Sequence, residues 1–385
     1  MTGRPVSRIA VIGGGIVGTT VAALIAERGV DVSLYEREAL AAGASGRNSG
    51  VVQRPFDPAL HDLYARSFDL YRRLEAEQLG FVLASEPSGL LLVSRDEALV
   101  RAFATNLAAT SPDLVPVVAT GAALLEIEPT LAPDLAACRL ELGFPVVPAS
   151  GTYAFATLAE RHGARIHLGR TVALSVDRGR ATGVAIDGRY EAADAVVVAA
   201  GPWTPDILDP TLTWRPIRAQ WGVVVETILA LPPRHVMEEA ELDAALGTPD
   251  RPSADDAGAG VRELGFSLVT AAGVSCVGST FLEEEPVPEE WEVPLLDHAA
   301  SFVPAIADAP IRGVRACARP ASLDGRPLIG RVPWIEHCFV ASGHGPWGIS
   351  TGPGSAQLIV ELMFGGPDAS VPAPLDVARF GAPAG

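Results

Sequence analysis

The feature that most constrains this chain is a set of three glycines between an apolar segment and a stretch of small residues. Residues 8–12 (RIAVI) are a short apolar run suited to a buried parallel strand. Gly13, Gly15 and Gly18 follow as G-x-G-x-x-G. In the next stretch Val17, Val21, Leu24 and Ile25 recur at helical spacing, and Gly29 stands where a helix stops. A second apolar run, 31–35, ends at Glu36.

Each residue type has a task in a βαβ unit that holds a dinucleotide. Gly13 permits the tight turn, Gly15 lets backbone N–H groups approach a pyrophosphate, and Gly18 lets helix and strand pack closely. The helix N-terminus presents partial positive charge to the phosphates, and Glu36 is placed to accept hydrogen bonds from a ribose. A lone G-x-G-x-x-G is often only a turn. Here strand, glycines, helix, strand and terminal acid occur in order, and the ordered set carries the reading.

A length of 385 residues predicts two interleaved domains with a large core. The net charge of −17 argues against nucleic acid or an anionic membrane as partner, because phosphates would repel such a surface. Cys138, Cys276, Cys317 and Cys338 lie far apart without C-x-x-C spacing, which disfavours a metal site or a disulfide framework and fits a reducing cytoplasm. No apolar run approaches the roughly 18 residues of a spanning helix, so a soluble protein is expected. The N-terminal MTGRPVS runs into the first strand without a signal-peptide pattern.

The βαβ unit alone fits FAD and NAD equally. Residues 41–52 (AAGASGRNSGVV) read either as a surface connection or as a second small-residue loop lying against an extended cofactor. The apolar run 195–199 ends in Ala200 and Gly201, a bare backbone that a cofactor can approach. Beside it Trp203 either covers a cofactor ring or fills core. Arg319 by itself reads as a salt-bridged arginine, and Cys317 in RACAR as a small buried residue.

Together ASGRNSG, VVVAAGPW, ARPASLDGRPLIG and ASGHGPWGISTGPGSAQL resemble the amine-oxidising flavoproteins that include glycine oxidase, D-amino-acid oxidase, D-amino-acid dehydrogenases and sarcosine oxidases. The motifs span residues 8–361 in the family's order. The resemblance implies an α/β fold with a Rossmann-like FAD-binding domain of discontinuous segments, 1–85, 148–213 and 318–366. A mixed-sheet substrate (cap) domain, 86–147 and 214–317, covers the flavin. Residues 248–262 are expected as an exposed cap loop, and 367–385 as a loose C-terminal tail.

The same resemblance implies FAD as cofactor. Glu36 falls on the adenosine ribose, Ser45, Arg47 and Asn48 near the pyrophosphate and flavin, and the Val172 backbone pairs with adenine; Gly13, Gly15, Gly18, Ile16, Val17, Arg37, Gly50 and Val51 are further expected cofactor contacts. Ala200, Gly201 and Trp203 lie along the cofactor, and Gly343, His344, Gly345, Pro346, Trp347, Gly348 and Ile349 beside the isoalloxazine. Arg319 matches the carboxylate-binding arginine of glycine oxidase-like members, suited to two parallel charge-assisted hydrogen bonds. Cys317 matches, by its spacing to Asp324, the cysteine that carries covalent flavin in monomeric sarcosine oxidase. Most related dehydrogenases hold FAD non-covalently.

These assignments predict hydride-transferring oxidation of an amino acid or N-alkyl amino acid, giving an imine and then a keto acid. Oxygen or a quinone or other electron carrier takes the electrons. Pro346 and Trp347 stand where some glycine oxidases carry a second arginine, so simple glycine is not the expected substrate. Trp347 and Trp221 either line an apolar substrate pocket or belong to the core. His344 is a candidate proton acceptor, cofactor contact or structural hydrogen bonder. A second hypothesis is a flavin-binding subunit whose partner supplies part of the site.

Overall fold

A computed structural model describes residues 7–241, 263–366 and 369–384. The expected loop 248–262 lies outside the described residues.

The βαβ unit opens a six-stranded sheet. Its strands run in the order Leu328–Arg331, Cys338–Ser342, Ala195–Val198, Arg8–Ile12, Asp31–Tyr35 and Arg165–His167, parallel except for the first pair. The central strands are buried on both faces, which is why they read as continuous apolar runs. Helix Ile16–Ala26 is buried along its entire length, and its Thr20 hydroxyl turns back to the Ile16 carbonyl, 2.7 Å. Glycines bring its neighbours close: a Cβ on Gly352 would lie 3.1 Å from Ile16 and from Val17, and one on Gly151 would lie 3.6 Å from Ile16.

The second large sheet has eight strands, ordered Ile311–Ser322, Ile217–Thr227, Val274–Thr280, Leu264–Ala271, Val236–Glu239, Leu90–Ser94, Ala136–Leu140 and Val117–Thr120. It is mixed, with one parallel pair, Leu90–Ser94 beside Val236–Glu239. Residues alternate across it. Val223, Val225, Val277 and Ala316 pack into one apolar cluster with Phe266 and Phe302. Gln220, Gly222, Val224 and Glu226 face the other way with their cross-strand partners Arg319, Cys317, Arg315 and Gly313.

Strand Ile311–Ser322 runs unbroken through the expected boundary at 317/318, because its pairing with Ile217–Thr227 continues to Ile217–Ser322. Arg319 is therefore carried by the edge strand of the eight-stranded sheet. The end of the chain also differs from a loose tail. Leu375 and Val377 are buried, and the Leu375 carbonyl accepts from Ile329 N–H at 2.8 Å. Two apolar side chains at this end found a place in the core.

No described helix is long and apolar enough to cross a membrane.

Candidate functional site

A cavity of about 850 Å³ takes its walls from both sheets. The glycine turn, residues 42–45 and 47–51, Val172, Ala200 to Trp203, Arg319 and residues 344–350 all line it.

At the turn, Gly13 has φ +114°, and a Cβ there would fall 2.3 Å from the Ala199 carbonyl oxygen. Only glycine fits that approach. The Glu36 carboxylate accepts from Gly14 N–H at 2.7 Å and from Glu38 N–H at 2.9 Å, which fixes it at the mouth of the turn. Ser45 Oγ accepts from Ile16 N–H, 3.0 Å, so the 44–48 loop docks on the first turn of the helix. Asn48 ties that loop to itself, donating to the Ala44 and Ser45 carbonyls and accepting from Gly50 N–H. Trp203 is half-buried and is not a core residue: the Arg37 guanidinium stacks 3.7 Å above its ring, at the cavity wall.

Across the cavity, Arg319 is half-buried. Its Nη1 donates to the Thr280 carbonyl at 2.8 Å, its Nη2 donates to Ser279 Oγ, and the Phe281 ring lies 5.0 Å away. Among the described residues no carboxylate pairs with it, and burial pulls its pKa down from the usual arginine value. It remains a cation at neutral pH. The space it occupies is made by Gly222, whose added Cβ would lie 2.2 Å from Arg319 Nη2. Cys317, two residues before Arg319 on the same face, is a buried free thiol on the cavity wall.

The third wall is the loop before helix Gly348–Phe364. Pro353 inside that helix lacks the N–H that would bond the Ile349 carbonyl. The buried Tyr71 hydroxyl supplies the missing donor at 2.8 Å. His344 is buried and its Nε2 is bonded to Ser355 Oγ at 2.9 Å. Burial pushes its pKa down to about 4, so it is neutral at physiological pH. Trp347 borders the cavity while packing on the core beneath the six-stranded sheet, and Trp221 does the same against the core of the eight-stranded sheet.

The structure thus brings most of the expected residues to one cavity: Gly13, Gly15, Ile16, Val17, Glu36, Arg37, Ser45, Arg47, Asn48, Gly50, Val51, Val172, Ala200, Gly201, Trp203, Trp221, Arg319 and 344–349. Gly18 and Gly343 are not among the residues that line it. Gly18 faces the Gly13 carbonyl, where a Cβ would lie 1.9 Å from the oxygen, and so serves helix–strand packing alone. Gly343, at φ +80°, is backed by Leu328 and Ser322. Sequence reasoning missed Gly222, Ser279 and Thr280. They reach Arg319 through strand pairing, for which one sequence carries no local signal.

A family model described as DAO, FAD dependent oxidoreductase, matches residues 8–362. The chain is 26% identical to the mouse (Mus musculus) mitochondrial pyruvate dehydrogenase phosphatase regulatory subunit over 98% of its own length and 43% of the relative's. It spans about half, 43%, 52% and 42%, of the first three curated relatives it matches. With a D-amino acid dehydrogenase of Cereibacter sphaeroides it shares 25% identity over 98% of this chain and 96% of that one. Among solved structures, glycine oxidase from Bacillus cereus superposes with a TM-score of 0.78 at 23% identity, covering 94% of this chain and 96% of that one.

Proposed function

The chain belongs to the DAO family of FAD-dependent oxidoreductases, and on that premise we propose that it oxidises the C–N bond of an amino acid. The substrate class is a D-amino acid, a glycine-like amino acid or an N-alkyl amino acid. The product imine is hydrolysed by water to a keto acid and ammonia or an amine.

The residues present fit the cofactor. The turn at Gly13 to Gly15 carries no side chain, and a Cβ on Gly14 would meet Glu36 at 2.9 Å. The cavity is within the size range of ligand sites, about 300–1,000 Å³. In this reading Glu36 takes the adenosine ribose, Val172 flanks adenine, and Ser45, Arg47 and Asn48 hold the pyrophosphate and flavin end, with Gly345 to Ile349 beside the ring system. Bound there, FAD would supply the acceptor for a hydride from the substrate Cα.

The observation that carries the proposal is Arg319. A half-buried guanidinium, without a carboxylate partner among the described residues and with its fork fixed by Ser279 and Thr280, is suited to a substrate carboxylate. Holding that group orients Cα–H and removes the freedom that makes the reaction slow in solution. Trp221 and Trp347 give the cavity wall its apolar, aromatic part. His344 Nε2 is engaged with Ser355 Oγ, and a pKa pushed down to about 4 by burial makes it a weak proton acceptor, so it positions the wall while the proton of the substrate ammonium leaves to solvent.

The test is an anaerobic absorbance titration of the holoprotein with D-amino acids, L-amino acids and N-methyl amino acids. Loss of the oxidised flavin band with one class supports the proposal. A flavin that no member of the panel reduces refutes the activity of the isolated chain and points to a subunit that needs a partner. Admitting air afterwards separates oxygen from a quinone or other carrier as acceptor.

A further inference from the structure

The edge strand Ile311–Ser322 carries a second arginine on the same face as Arg319, four residues earlier. Arg315 Nε donates to the Arg47 carbonyl at 3.1 Å, and its Nη2 donates to the Asn48 carbonyl at 2.8 Å. Its Nη1 donates to the Glu226 carboxylate on the neighbouring strand, and Nη2 also lies 3.4 Å from Cys276 Sγ. One guanidinium therefore grips two backbone carbonyls of the 44–48 loop while anchored by a carboxylate of the cap sheet. The contact is returned, for Arg47 Nη1 donates to the Ala316 carbonyl at 3.3 Å.

These contacts form one connected path. Ser45 Oγ sits on Ile16 N–H at the helix start, Asn48 locks the loop internally, and Arg315 fastens the loop to the strand that presents Arg319. The Arg47 carbonyl ends the short helix Ala44–Arg47 and the Asn48 carbonyl belongs to its C-cap, where helical bonding leaves acceptors without a partner. A planar fork of five N–H donors can serve both carbonyls and the carboxylate at once, whereas a lysine presents three donors from a single atom.

We propose that Arg315 is a positioning residue that sets the cofactor-facing loop 44–48 in register with the substrate strand, so that cofactor affinity depends on a side chain outside the cofactor cavity. This rests on the reading of that loop as a cofactor contact.

The experiment measures FAD binding to apoprotein by quenching of flavin fluorescence, together with visible circular dichroism of the bound flavin and thermal melting of the apoprotein. Arg315→Lys is the main variant because it keeps the charge beside Glu226 and lets the chain fold. It is expected to raise the FAD Kd about tenfold, the loss of one charge-assisted hydrogen bond. The flavin dichroism is expected to change while apoprotein melting does not. Arg315→Met should weaken FAD binding further. An FAD Kd within twofold of the parent with unchanged dichroism overturns the inference, and so does a parallel drop in apoprotein melting, which would make the role one of general stability. Ser45→Ala separates the two levels. If it weakens FAD while Arg315→Lys does not, only the inference falls; if neither changes FAD binding, the loop reading falls with it.

Discussion

Gly222→Ala is expected to disable the proposed carboxylate site at Arg319 while sparing the fold. The added Cβ would lie 2.2 Å from Arg319 Nη2, 2.4 Å from Cζ and 2.5 Å from Nη1. Ordinary contact begins at 3.4 Å, so the nearest nitrogen must withdraw by 3.4 − 2.2 = 1.2 Å. That displacement is incompatible with keeping Nη1 at 2.8 Å from the Thr280 carbonyl. The atoms in the way are the far end of a flexible side chain, so the strand pairing of Gly222 with Cys317 survives and melting should change by no more than about 1 kcal/mol equivalent. A bidentate charge-assisted pair that loses its geometry forfeits about 1.5–3 kcal/mol, or roughly a tenfold to hundredfold loss of affinity. Benzoate is a suitable probe, as a carboxylate whose binding perturbs the flavin absorbance, with Arg319→Met as reference. If Gly222→Ala binds benzoate within twofold of the parent while Arg319→Met does not bind it, the reasoning about space at Gly222 is wrong.

Three further outcomes are expected. Tyr71→Phe removes the donor that serves the Ile349 carbonyl above Pro353, so urea unfolding should show a loss of about 1–3 kcal/mol, and a change below roughly 0.5 kcal/mol would contradict that role. His344 has a folded pKa of about 4 against an ordinary 6.5, so its contribution is present above pH 6.5 and is lost as pH falls from 6.5 toward 4. The difference corresponds to about 3 kcal/mol, and His344→Gln should flatten stability over that window, whereas an unchanged slope would place the titration elsewhere. Acid precipitation should release all the flavin into the supernatant, and Cys317→Ser should keep a full complement of FAD; flavin that stays with the precipitate would instead identify Cys317 as a covalent attachment point.

What could be read from the sequence was what is local in the chain. The βαβ unit lies within 29 consecutive residues, 8–36, and its glycines act on backbone a few positions away, so strand, turn and helix were legible together. Arg319 was reached through the resemblance of its motif, because an arginine by itself does not announce a carboxylate. Gly222 and Arg315 were invisible for a different reason. Gly222 meets Arg319 only through antiparallel pairing, and Arg315 meets residues 47 and 48 across more than 260 positions. At Gly343 the missing side chain makes room for Leu328 and Ser322, a packing role that the motif does not announce. The tail misled because its small residues and prolines carry no periodic pattern, while Leu375 and Val377 are buried and Arg379 is tied to Asp324.

That docked end has a consequence for how copies of this protein meet. Leu328–Arg331 is the outer strand of the six-stranded sheet, and such a rim is a template onto which another chain can add by backbone pairing. Residues 375–377 occupy it, through Ile329 N–H on the Leu375 carbonyl and the bridge from Ile329 to Asp376. The opposite rim, Arg165–His167, is three residues long and bears an arginine engaged with Asp31 and Ser33. Both rims are blunted, so this sheet offers little purchase for strand-to-strand aggregation, and the last residues of the chain act as its hem.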